Sequence, residues 1–230
     1  MDREAILKNA ALWRERIGEA SARWGGAKIC AVTKTQDAQT VNCLSGSGID
    51  ILGENRVQEL LDKREALEPE FHLHLIGGLQ TNKVKYIAPW IEMVQSLDRD
   101  ALAEELSRRA IAADRVIPAL VQVNIGREPQ KGGVYEEELE AFVRRCAALP
   151  GLHVSGLMAI MPLTDEPEAL RPLFRRMREW FERFRDMEIK DTSMDVLSMG
   201  MSGDCVVAAQ EGATMVRLGR ALFGPRPQKN

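Results

Sequence analysis

The chain has 230 residues, enough for one domain or two small ones. Hydrophobic residues make up 45% and charged residues 28%, an ordinary globular composition. The net charge of −3 gives no electrostatic case for nucleic acid or an anionic membrane as the main partner, and no apolar run approaches the roughly 20 residues that span a bilayer.

Met1–Arg23 predicts a helix, because Ala5, Leu7, Leu12, Trp13, Ile17 and Ala20 recur near helical spacing. It is charged throughout, unlike a signal peptide. Trp24-Gly25-Gly26 ends it, placing the N-terminal helix at about 1–24. Short apolar runs then alternate with longer amphipathic ones. The predicted strands are Ile29–Lys34, Ile49–Gly53, His72–Gly77, Met93–Leu97, Ala119–Asn124, Val154–Ile160, Val196–Met199 and Met215–Leu218. Among the intervening helices, Arg99–Ala113, Glu136–Leu149 and Glu166–Phe184 are the clearest. Alternating strands and helices mean parallel pairing with right-handed crossovers. Eight such units in a chain near the usual size of this architecture predict a single (β/α)8 barrel over about 28–224, within one domain covering 1–230. The short Gly224–Pro227 stretch reads as a frayed end.

Cys30, Cys43, Cys146 and Cys205 form no C-x-x-C pair, and with His72, His74 and His153 they give no zinc-site spacing. No metal is expected. Free thiols and the lack of an export signal favour the cytoplasm.

In such barrels function collects at the C-terminal ends of the strands. The first run ends in Lys34. A lysine at the edge of an apolar barrel has its charge disfavoured by desolvation, and a free amine attacks an aldehyde to form a Schiff base. The second run ends at Glu54-Asn55, and the third at Gly77-Gly78. The seventh leads through Gly200, Ser202 and Gly203 into a helix, where backbone N–H groups and a hydroxyl can cradle an anion. The eighth reads Met215-Val216-Arg217-Leu218-Gly219-Arg220, and phosphate is often held after strands 7 and 8. A strand-end lysine with a phosphate site leaves two readings. One is a class I Schiff-base aldolase acting on a sugar phosphate. The other is a pyridoxal phosphate protein, whose cofactor carries both an aldehyde and a phosphate.

Six ordered motifs decide between them. They are Ala31-Val32-Thr33-Lys34-Thr35; Gly53 to Glu59; His74 to Lys83; Gln122-Val123-Asn124-Ile125 with Lys131; Gly156 to Ile160; and Ser198 to Ser202 continuing through Val216-Arg217-Leu218-Gly219 and Phe223-Gly224. Together they resemble the pyridoxal phosphate homeostasis protein family from about Lys28 to Gly224. The resemblance implies the alanine racemase N-terminal-domain fold, with pyridoxal 5′-phosphate bound as a Schiff base on Lys34. It implies Asn55 near the ring and Arg217 facing the pyridine nitrogen. It also implies Ser202 with the backbone of Gly219 and Arg220 at the phosphate, and Ile76 and Met199 among the cofactor contacts. The chain departs from the family's pattern at Gln36-Asp37 and at Gly78.

An arginine does not readily give up its proton, so a ring nitrogen facing Arg217 stays unprotonated and the ring is a weaker electron sink. Related racemases add a second domain and an acid/base from a partner. This chain runs only a few residues past the eighth strand, and neither Tyr86 nor Tyr135 falls on a predicted strand. The expectation is therefore cofactor storage and transfer without robust catalysis, by a monomer that hands the cofactor to dependent apoenzymes. A weak amino acid racemase is the first alternative and a class I Schiff-base aldolase the second.

Overall fold

The computed structural model describes residues 1–225. The expectation for Arg226 and Pro227 lies outside them. Eight parallel strands close into one barrel, in sequence order. They are β1 (Lys28–Val32), β2 (Ile51–Glu54), β3 (His72–Leu75), β4 (Met93–Leu97), β5 (Ile117–Val123), β6 (Leu152–Ala159), β7 (Thr192–Met201) and β8 (Met215–Leu218). The ring is closed by β8 on β1, with Cys30 opposite Arg217 and Ala31 opposite Leu218. The predicted barrel is thus the observed one.

The helices are α1 (Arg3–Ser21), α2 (Ala38–Asn42), α3 (Val57–Lys63), α4 (Val84–Ile87), α5 (Asp100–Ala112), α6 (Glu136–Ala147), α7 (Arg171–Asp186), α8 (Cys205–Gln210) and α9 (Arg220–Phe223). Local chemistry sets several ends. The Asp2 carboxylate accepts from the Ala5 N–H at 2.9 Å and caps α1. Three glutamates open α6 and Arg144 and Arg145 close it, matching its dipole. The N-terminal helix packs against α8 and α9 on the outside of the barrel.

Two apolar cores result. The larger lies between the strands and the helices and includes Ile6, Ile17, Leu52, Phe174 and Phe184. The smaller, Cys30, Ile51, Ile76 and Met215, fills part of the barrel interior. Other inward positions are polar: His74, Gln95, Ser198 and Arg217 are all buried. That is a departure from the branched aliphatic layers usual in such barrels.

Candidate functional site at the C-terminal mouth of the barrel

β1 stops at Val32, two residues before the predicted end, because the chain turns. The Gln36 N–H donates to the Thr33 carbonyl at 3.0 Å, which makes Thr33–Gln36 a β-turn with Lys34 in second place. Thr35, in third place, has φ +67°, a left-handed value uncommon for a β-branched residue. The turn is clamped by α3. Lys63 Nζ donates to the Thr33 carbonyl at 2.7 Å and pairs with Glu54, and Glu59 Oε2 accepts from the Thr35 N–H at 3.0 Å. Thr33 Oγ1 donates to Glu54 Oε1 at 2.7 Å. Burial pushes the Glu54 carboxyl up, and the Lys63 ammonium beside it opposes that. Lys34 itself is half-buried. Its backbone is held on both sides at the end of the strand that lies between β8 and β2.

Directly beside β1 is the end of β8, and beside that the end of β7. Gly200 has φ +91°, and a Cβ there would stand 2.5 Å from the Ala208 Cβ, so only glycine lets β7 turn this tightly into α8. Asp204 Oδ1 then accepts from the Met201 N–H at 2.5 Å and fixes the turn. The Ala221 N–H donates to Ser202 Oγ at 3.3 Å and ties the β7 loop to the start of α9. The N–H groups of Ser202, Gly203, Gly219 and Arg220 make no hydrogen bond to any described residue. Four unused donors on two joined loops suit an anion.

Under this cradle lies Arg217, only 4% exposed. Its Nη1 donates to the Ser198 carbonyl at 2.8 Å and to Ser198 Oγ at 2.7 Å, and its Nη2 donates to the Ala159 carbonyl at 2.7 Å. A guanidinium has five N–H donors, so Nε–H and one Nη2–H are left over. Among the described residues no carboxylate forms an ion pair with it. Burial pulls the guanidinium below its ordinary value, opposed by nearby Cys30 and Asp204. Burial also pushes the Cys30 thiol up to about 12, so it stays neutral.

The remaining predicted residues divide. Ile76 belongs to the interior cluster. Half-buried Asn55 follows β2, and its N–H donates to Glu54 Oε2 at 3.3 Å. Met199 does not join them. Ser198 takes the inward position on β7, so its neighbour Met199 faces the helices and is fully buried in the larger core. The two departures from the family pattern are harmless to the fold. Asp37 caps α2 by accepting from the Thr40 N–H at 2.7 Å, and that bond holds its carboxyl below the ordinary range. A side chain at Gly78 would meet open space.

Sequence reading assigned no role to Lys63, Glu54, Gln95 or Ser198. The available signal was two adjacent polar residues, Gln95 and Ser96, inside an otherwise apolar strand. Two surface clefts lie elsewhere: about 860 Å³ beside Trp24 and Arg178, and about 620 Å³ beside Lys28 and Asp50. Neither is lined by the mouth residues, so cleft size does not mark the chemistry.

Barrel, strand-end lysine and anion cradle together define a protein of the alanine racemase N-terminal-domain class, and the profile of that family (Alanine racemase, N-terminal domain) matches residues 1–227. The alanine racemase of Corynebacterium glutamicum superimposes with a TM-score of 0.73 over 98% of this chain and 62% of its own, at 19% identity, which speaks to the fold alone. Nearer relatives narrow the class. The Aquifex aeolicus pyridoxal phosphate homeostasis protein is 42% identical over 217 residues, 92% of this chain and 94% of its own. The Pseudomonas aeruginosa protein of the same name is 38% identical over 97% of this chain and 95% of its own. PipY of Synechococcus elongatus, solved with pyridoxal phosphate bound, superimposes with a TM-score of 0.84 at 31% identity, covering 95% of this chain and all of its own. The chain belongs to the pyridoxal phosphate homeostasis protein family.

Proposed function

We propose that this barrel binds pyridoxal 5′-phosphate at its C-terminal mouth, covalently through the Lys34 amine, and stores and transfers it within the cell. The observation that carries this reading is the grouping on three adjacent strands. Lys34 follows β1, buried Arg217 with two unassigned donors lies on β8, and the unused N–H groups of Ser202, Gly203, Gly219 and Arg220 follow β7 and β8. An aldehyde, a ring nitrogen and a phosphate match these three features in kind. Ile76 and Asn55 would border the ring.

When bound, the cofactor supplies an aldehyde and an electron-withdrawing ring. The protein's own groups favour holding over turnover. Arg217 donates and does not release its proton, so a ring nitrogen facing it stays unprotonated. We therefore read the chain as a carrier without robust catalysis. It acts as one barrel domain, monomeric and cytoplasmic, with cofactor-dependent apoenzymes as recipients. Four free cysteines, three of them buried, agree with a reducing compartment. Among the described residues no helix is long and apolar enough to cross a membrane.

The test is the visible absorption spectrum of the wild type beside Lys34→Ala, after incubation with pyridoxal phosphate and removal of the excess. A borohydride-sensitive band in the wild type that is absent from the variant is expected. A band of equal strength in both would move the attachment point away from Lys34, and none in either would end the cofactor reading. Racemisation of an amino acid at the rate of a dedicated enzyme would overturn the carrier reading.

A further inference from the structure

A second arrangement lies below the site, inside the barrel. Ser198 Oγ donates to Gln95 Oε1 at 2.7 Å, and Gln95 Nε2 lies 2.9 Å from His74 Nδ1. With the Arg217 Nη1 to Ser198 Oγ bond, four residues on β8, β7, β4 and β3 form one continuous chain across the interior. Gln95 and Ser198 are fully buried, and His74 nearly so.

The chemistry dictates the direction of every bond. A guanidinium only donates, so Ser198 Oγ accepts from Arg217. The hydroxyl proton must then go elsewhere, and Gln95 Oε1 takes it. That commits the amide's other end, so Nε2 donates to His74 Nδ1. His74 Nδ1 must be bare, which makes the imidazole neutral with its hydrogen on Nε2. Burial, with His72 and Lys28 adding to it, brings the His74 pKa down to about 4, in keeping with a neutral ring. Reversing the relay would leave the Ser198 hydroxyl proton without an acceptor among these residues.

Three polar side chains inside an otherwise apolar barrel cost desolvation that aliphatic residues would avoid. Full satisfaction offsets that cost, but it does not account for a chain that ends on a buried cation. We propose that Ser198, Gln95 and His74 are positioning residues that hold Arg217 in a single orientation, with its remaining N–H donors presented to the ring nitrogen of the ligand. The ligand part of this inference rests on the cofactor reading above; the orientation of Arg217 does not.

The experiment has two arms on the same proteins: wild type, Ser198→Ala, Gln95→Leu, and Ser198→Thr, which keeps a hydroxyl. The first arm records guanidinium ¹⁵N signals of Arg217 in cofactor-free protein. Restricted rotation is expected in the wild type and in Ser198→Thr, with averaged signals in Ser198→Ala and Gln95→Leu. The second arm measures pyridoxal phosphate affinity and the pH midpoint of the bound chromophore. About tenfold weaker binding is expected in the two relay-breaking variants, the loss of a hydrogen bond to a charged group. A displaced pH midpoint should accompany it, with both properties restored in Ser198→Thr. Unchanged guanidinium signals, affinity and midpoint, with only a lower melting temperature, would make the relay a structural filler and overturn the proposal. A wild type that binds no chromophore would sink the cofactor reading, and the first arm would still decide the orientation of Arg217. If Gln95→Leu does not fold, Ser198→Ala against Ser198→Thr carries both arms.

Discussion

Lys63 illustrates how a residue outside the mouth can govern one inside it. Its ammonium is 12% exposed and bridges the Thr33 carbonyl, next to Lys34, to the Glu54 carboxylate, which is 2% exposed. Truncating one partner of such a pair leaves a charge buried alone, which costs about 3–5 kcal/mol. Lys63→Met should therefore destabilise the protein by about 3 kcal/mol in urea unfolding. The double variant with Glu54→Gln should recover part of that loss, because the two effects are coupled. Additive losses would show that the pair does not act as a unit. The placement of Lys34 after β1 and of Arg217 on β8 was legible in the sequence, because the order of the strands marks both positions. Lys63, Gln95 and Ser198 were not. Each has meaning only through a partner between 9 and 103 residues away in sequence.

Elements with regular, well-separated runs were read with little error: β4 and β8 have the predicted bounds. β7, predicted as Val196–Met199, runs Thr192–Met201, because its early part has only Met194 among polar residues and so shows no apolar run. It extends by pairing with β6 across an irregularity at Gly156, where the register shifts between Val154 and Gly156. Gly156 has φ +147°, and a Cβ there would lie 1.9 Å from the Val196 carbonyl oxygen. Gly156→Ala combines a poor backbone angle with a clash against main chain, so it should cost about 3 kcal/mol or more. A change in the urea midpoint below that of an ordinary surface substitution would show that the irregularity can relax. The helices α2, α4 and α9, each four or five residues long, escaped sequence reading because one turn is too short to display a period.

At the scale of the molecule, the barrel could be inferred from strand–helix alternation and length, but its closure is a pairing of β1 with β8 that no local pattern encodes. The polar interior has a global consequence for acid stability. His74 titrates near 4 in the folded protein, against an ordinary value of 6.5. As pH falls through that window the unfolded chain takes up the proton first. The stability His74 contributes is therefore whole above pH 6.5 and is lost as the pH falls towards 4. The total is about 3 kcal/mol, with a slope approaching 1.4 kcal/mol per pH unit. Urea unfolding between pH 4 and pH 7 should give a steeper dependence for the wild type than for His74→Leu. Parallel curves would mean that the buried imidazole does not set the slope.

The pairing of the first strand with the last also bears on how the protein comes into being. Lys34 leaves the ribosome early, whereas Arg217, Gly219 and Arg220 leave among the last residues of the barrel. At about 5–20 residues per second, roughly ten to forty seconds of synthesis separate Lys34 from the last strand of the barrel. The mouth of the barrel comes into existence as a late event, when the final strand seats against the first, so under the proposed function loading with a reactive aldehyde would be a property of the finished barrel.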